Sequence, residues 1–137
     1  MSSRRTIMIP IVISDLDEAV LSYYWTCMSM PRDKVLLVHI FSQKDATKEK
    51  WPECQTQLKT VVQPFEEQCQ VNKIGYQLIL HAGKPGEGIV EMVAKHSPDM
   101  LMIGSRGLSK LRRTIESSVS EYVHHHAKVA VLIVPKL

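Results

Sequence analysis

The sequence predicts a single three-layer α/β domain: a five-stranded parallel sheet of order 3-2-1-4-5 with helices on both faces. Three observations carry that expectation. Five short runs are almost wholly apolar, which suits strands covered on both faces. Between them apolar residues recur at the spacing of a helix with one buried face. Proline and glycine punctuate the changes of period. With 137 residues, 45% apolar and 23% charged, the chain can bury one core and is too apolar to be disordered.

Taken in order, Thr6 to Ile13 (TIMIPIVI) is the first apolar run. From Asp15 the period becomes helical, with Leu16, Ala19, Val20, Tyr23, Tyr24, Cys27 and Met28 on one stripe and Pro31 closing it. Val35 to Phe41 is the second strand. The polar stretch Ser42 to Lys50 leads to a helix with Pro52 in its first turn, where the missing N–H costs nothing. Its inner face holds Cys54, Leu58, Val61, Val62, Phe65 and Cys69, and Pro64 within that stripe is expected to kink or break it. Tyr76 to His81 is the third strand. Gly83 to Gly86 then turns the chain into a helix with Ile89, Val90, Val93 and Ala94 on its apolar side. Pro98 and Asp99 stop that helix before the strand Met100 to Ile103. A last helix is expected from about Ile115 or Ser117 to His126, burying Ile115, Val119, Tyr122 and Val123, ahead of the strand Val129 to Val134.

Composition narrows function. A net charge of +3 is too mild for a general nucleic-acid binder, and no stretch approaches the roughly 20 apolar residues of a membrane span. The apolar run after Arg4 and Arg5 is broken by Pro10, Ser14 and Asp15, too soon for a signal-peptide core. Cys27, Cys54 and Cys69 have no CxxC or zinc spacing and read as reduced thiols packed on helix faces, which makes the cytoplasm the expected compartment. His124, His125 and His126 point about 100° apart on a helix and so do not converge on one metal ion; a helix C-terminus suits them better. His39 and His81 read as core or strand-end residues, and Tyr23, Tyr24 and Trp25 as core packing.

The segment with the most chemistry is Met102 to Val119. It turns on Gly104 and Gly107, gathers Arg106, Lys110, Arg112 and Arg113 with no acid among them, and enters a helix through Ser117 and Ser118. Such a segment offers backbone N–H groups, hydroxyls and cations to an anion such as a nucleotide phosphate; the plainer reading is a tight turn beside a solvated basic face. In a sheet of order 3-2-1-4-5 the ligand crevice lies between the carboxyl ends of the first and fourth strands, where this segment begins. No Walker lysine follows the glycines, and no general base is apparent near them.

Gly104-Ser-Arg-Gly107, followed after nine residues by Ser117-Ser118, resembles the universal stress protein signature Gly-x2-Gly-x9-Gly-Ser/Thr. The run from Ser118 to His125, the closing Val131-Leu-Ile-Val-Pro135, Leu37-Val-His-Ile40 and Gly83-Lys-Pro-Gly-Glu87 are similar to that family too, so the resemblance covers essentially residues 1–137 as one domain. It implies a Rossmann-like fold and, in members that have one, a site for ATP or AMP, with magnesium as a possible companion. By position, Pro10, Ile11 and Val12 would sit by the base and Ile40 would pack on the adenine. Ile103, Gly104, Arg106 and Gly107 would wrap ribose and phosphates, while Ser117, Ser118 and Val119 would donate to phosphate. It also implies a homodimer through the last strand, Val129 to Val134.

Two positions depart from the pattern. Nucleotide-binding members usually carry Asp where this chain has Val12, and a lost hydrogen bond of that kind costs about 0.5–1.5 kcal/mol. The third signature glycine is Ser117, whose Cβ narrows the approach of a phosphate while its hydroxyl adds a donor. The phosphate half of the implied site is thus kept and the base half degraded. Binding without turnover is the first expectation; a dimeric interaction module that has lost its nucleotide, and a weak ATPase, are the alternatives.

Overall fold

The computed structural model describes residues 4–105 and 119–135. The chain alternates strand and helix: β1 (Thr6–Pro10), α1 (Asp15–Tyr23) with a π-helical turn (Tyr24–Met28), β2 (Lys34–Phe41), α2 (Trp51–Asn72), β3 (Gly75–Ala82), α3 (Pro85–His96), β4 (Met100–Ser105) and β5 (Ala130–Pro135). Residues 119–126 are helical ahead of β5. The sheet is parallel with order β3-β2-β1-β4-β5, as expected.

Alternation along β1 divides the core. Ile7, Ile9 and Ile11 face α1 and α2, packing with Val20, Tyr24, Leu58, Val62 and Phe65. Met8 faces the other way, toward Ile89, Met92 and Val93 of α3 and Val123 of the last helix. The central strands are buried on both faces, which is why they read as continuous apolar runs. Among the described residues no helix is long and apolar enough to cross a membrane.

Four expectations need correction. β1 ends at Pro10, not Ile13: Ile11 makes one more ladder bond, to the Val38 carbonyl at 2.7 Å, and Ile13 then turns left-handed at φ 54°. The first helix keeps its α period only to Tyr23. The Ser29 N–H then bonds the Tyr24 carbonyl at 2.7 Å, five residues back, and the changed register leaves Cys27 exposed instead of packed. α2 runs through Pro64 without a break, because burial of Leu58, Val62, Phe65 and Cys69 outweighs the roughly 3 kcal/mol penalty of an interior proline. The inner face of α3 is Gly88, Ile89, Met92 and Val93, and Ala94 is exposed.

A polar anchor ties the start of β1 to the end of the first helical segment. Asp33, 1% exposed, accepts from Arg5 Nε at 3.0 Å, Arg5 Nη2 at 2.8 Å, the Tyr24 hydroxyl at 2.7 Å and the Met30 N–H at 3.1 Å. Arg5 Nη2 also donates to the Met28 carbonyl at 2.6 Å. Burial alone would raise the Asp33 pKa, but the hydrogen bonds from Arg5, Tyr24 and Met30 outweigh it, and the carboxyl titrates below its usual 3.8. Burial and the same carboxylate push the Tyr24 phenol up. The cysteines are free thiols, Cys54 partly and Cys69 fully buried, and burial with nearby Glu66 pushes the Cys69 thiol up to about 12.

Candidate functional site

β1 pairs with β2 over five residues but with β4 only at Ile7–Met100 and Met8–Leu101. Beyond Met8 the two strands part. Because strand order also reverses here, their carboxyl ends open a cleft of about 250 Å³. Pro10, Ile11 and Val12 form one rim, and Ile40, Ile103, Gly104 and Val119 form walls. These are positions the sequence singled out. Arg106, Gly107, Ser117 and Ser118, and the neighbouring cations Lys110, Arg112 and Arg113, lie outside the described residues.

The rim is held by a carboxylate from below. Asp17 Oδ1 accepts from the Val12 N–H at 2.9 Å and Oδ2 from the Ser14 N–H at 3.2 Å. Ser14 Oγ in turn accepts from the Leu16 N–H at 3.2 Å, completing a capping box at the start of α1. This cage fixes Ile13 in a left-handed conformation that a β-branched residue seldom adopts. Asp17 is 3% exposed; burial pushes its pKa above the usual 3.8, against the opposing pull of the Val12, Ser14 and Ile13 N–H groups and His39. Between 3.8 and its raised folded value the native state holds the extra proton, so this group contributes less to stability as pH rises through that window. By sequence the nearest acids lie past the strand; the fold returns Asp17 under Val12, but its oxygens are engaged with backbone. Val12 itself points half its surface to solvent, at 50% exposure.

Asp17→Ala should remove both acceptors and lower stability by about 1–3 kcal/mol in urea denaturation, with Asp17→Asn recovering part of the loss. Equal stability of Asp17→Ala and the native chain would mean that the rim is held by something else.

Two glycines explain the shape of the walls. A Cβ on Gly104 would lie 3.0 Å from Val20 Cγ2 and 3.4 Å from Leu16 Cβ, so this residue is small to let α1 pack against the end of β4. A Cβ on Gly88 would lie 2.7 Å from Ile40 Cγ2; this glycine of α3 leaves Ile40 its place in the cleft. Sequence reasoning missed Asp17, His39 and Ser120 as lining residues. The Ser14-x-x-Asp17 spacing was a usable signal for the first, whereas nothing in the apolar run around His39 marked it. His39 Nδ1 donates to the Ile11 carbonyl at 2.7 Å, and Nε2 faces Cys54 Sγ at 3.8 Å. Ser120 Oγ donates to the Gly104 carbonyl at 3.5 Å.

The other histidines stand elsewhere. His124, His125 and His126 occupy the last turn of their helix, where His126 Nδ1 donates to the Tyr122 carbonyl at 2.8 Å and its ring stacks on Tyr122 at 4.1 Å. His81 Nε2 lies 2.8 Å from Glu91 Oε2 on the surface. Chemically the cleft is an aliphatic slot with a few polar groups at its edge, which suits a flat, largely apolar group with a polar rim.

The family model described as the universal stress protein family matches residues 3–135. Universal stress protein Sll1388 of Synechocystis sp. is 34% identical over 87 residues, covering 64% of this chain. The matched part is 56% of that relative's length, so the chain spans about half of it. The solved structure of hypothetical protein MJ0577 superposes with a TM-score of 0.76 at 20% identity, over 97% of this chain and 96% of that one. A universal stress protein family protein of Arabidopsis thaliana, At3g01520, solved with AMP bound, superposes with a TM-score of 0.68 at 21% identity, over 97% and 92% of the two chains.

Proposed function

The chain belongs to the universal stress protein family, and on that premise we propose that it binds an adenine nucleotide, AMP or ATP, in the cleft between β1 and β4 and works by binding rather than turnover. One observation carries the reading. Pro10, Ile11, Val12, Ile40, Ile103, Gly104 and Val119 come from four separate stretches of chain and meet around a single cleft at the reversal of strand order. The AMP-bound relative of similar fold supports the ligand class. Aliphatic walls take the base, and the basic segment after Gly104 supplies charge of the sign a phosphate needs. Asp17 is the one carboxylate lining the cleft among the described residues and is engaged with backbone N–H groups, so magnesium would be held through phosphate oxygens and water.

Calorimetric titration with AMP and ATP tests this: saturable heat and a rise in melting temperature are expected, and silence in both at millimolar nucleotide rejects it. Val12→Asp should tighten AMP binding by about 2–10-fold by returning an acceptor to the rim.

A second reading has its own support. Val12 is half exposed and offers the base no acceptor, while its N–H is already bonded to Asp17. On this account the protein is an interaction module that has lost its nucleotide; a native chain that binds no AMP, with Val12→Asp and Ser117→Gly together creating binding, would favour it. In either case we infer a homodimer through β5. Its open edge carries Ile133 at 42% exposure beside partly buried Val131 and Leu132, and an apolar edge of this kind favours pairing with a second copy. Sedimentation showing only monomer at micromolar concentration would reject the dimer.

A further inference from the structure

We propose that Cys54 is a modification site: a thiol activated by His39 that attacks a small disulfide and keeps half of it as a mixed disulfide. The proposal does not depend on the nucleotide reading.

The two residues come from different elements, and the fold brings them together. Side chains alternate along β2, so His39 leaves the sheet on the same face as Val35 and Leu37, toward α1 and α2. Pro52 opens α2, and Cys54 follows it, partly exposed, in the first turn of that helix. Its Sγ lies 3.8 Å from His39 Nε2, which has no other partner among the described residues. The ring itself is 7% exposed, and its Nδ1 donates to the Ile11 carbonyl at 2.7 Å. A nucleophile therefore faces a base, and a third group holds the base in place.

The thiol needs that base. Burial and the nearby Asp45 push the Cys54 thiol above its ordinary value, so at neutral pH it is held as S–H, a poor nucleophile. An imidazole that takes this proton at Nε2 keeps its Nδ1–H on the Ile11 carbonyl. Both N–H groups of the resulting cation are then matched, one by the carbonyl and one by the thiolate. Asp17, when ionised, attracts the same cation from α1. Asp17 and Asp45 are the charged groups that bear on the pair among the described residues, the first favouring proton transfer and the second opposing it.

The exchange balances within one encounter. The Cys54 proton passes to Nε2, and the thiolate bonds to one sulfur of the incoming disulfide. The S–S bond of that molecule breaks, and the departing thiolate takes the proton back from Nε2. Cys54 is oxidised, and half of the incoming molecule is reduced to a free thiol. The adduct persists because no second thiol stands near enough to resolve it. Cys69 is fully buried and lies about 22 Å further along α2, and Cys27 is at the opposite end of the first helical segment.

Bis(2-hydroxyethyl) disulfide is the probe, added to the full reduced chain, with adducts located by peptide mass mapping and Cys27 as internal reference. Near neutral pH, Cys54 should react at least about tenfold faster than Cys27, although Cys27 is the more exposed. Below neutral pH a lone thiol loses about tenfold in rate per unit, and Cys54 should lose less. His39→Asn keeps an amide N–H for the Ile11 carbonyl but supplies no base. It should slow Cys54 by about tenfold or more, restore the slope of a lone thiol and leave Cys27 unchanged. Circular dichroism checks that the variant is folded; if it is not, the pH slope of the native chain decides. Cys27 reacting first or at an equal rate overturns the proposal, as does a lone-thiol slope at Cys54. A folded His39→Asn whose Cys54 reacts as fast as the native thiol, or faster, overturns it as well.

Discussion

Replacing Asp33 by alanine is expected to lower the free energy of unfolding by about 3–5 kcal/mol, the range for breaking a buried charge pair from one side. The magnitude follows from what is stranded. Arg5 loses two short contacts and keeps only the Met28 carbonyl, the Tyr24 hydroxyl is left without a partner in the core, and the Met30 N–H loses its acceptor. The pH dependence should change with it. Because the Asp33 carboxyl titrates below 3.8 in the fold, its contribution is complete above that pH and is lost as pH falls through the folded value. Urea denaturation of both proteins from neutral pH down to pH 3 checks both points; Asp33→Ala should show the shallower acid decline. A variant within 1 kcal/mol of the native chain, or an unchanged acid limb, would show that the anchor contributes little.

Gly88→Val should be costly in two ways. Its Cβ falls 2.7 Å from Ile40 Cγ2 and 2.9 Å from Ile40 Cδ1, inside any tolerable contact, so Ile40 must swing away from α3. Overpacking of this kind costs about 1–3 kcal/mol. The residue that moves lines the cleft, so AMP affinity should fall at least about tenfold, more than the loss of stability alone would bring at a temperature where the variant is still folded. Gly75→Ala is the matched control: its Cβ meets the flexible end of Arg4 at 3.3 Å, and a shift of less than about 0.5 kcal/mol with unchanged AMP binding is expected. Native-like AMP affinity in Gly88→Val would remove Ile40 from the proposed site.

What could be read from the residues alone follows from how local each signal is. Continuous apolar runs such as Val35–Phe41 mark strands because both faces are covered, and the helical stripes mark the layers that cover them. The end of the first helix could not be read, since Cys27 and Met28 continue the α period in sequence while the chain has already widened into a π turn. Pro64 misleads for the converse reason: the local cost is real, but four buried neighbours on α2 set the outcome. Contacts that join distant residues leave no local mark, and Arg5 with Asp33, 28 positions apart, is one of them. In the site, positions at strand ends were legible because topology alone brings strand ends together. Asp17 was less so, for its role is visible only once the chain has folded back from Ile13.

The setting of His39 has a consequence for selectivity. One nitrogen of the ring is tied to the Ile11 carbonyl and the other faces the Cys54 sulfur, so neither is turned to a guest. A histidine in a cavity wall usually advertises proton transfer or metal capture; toward the cleft this one acts as a spacer, and discrimination on that side rests on contour. Adding a bulky substituent to the guest there should be punished by collision, and adding a polar one should bring no reward.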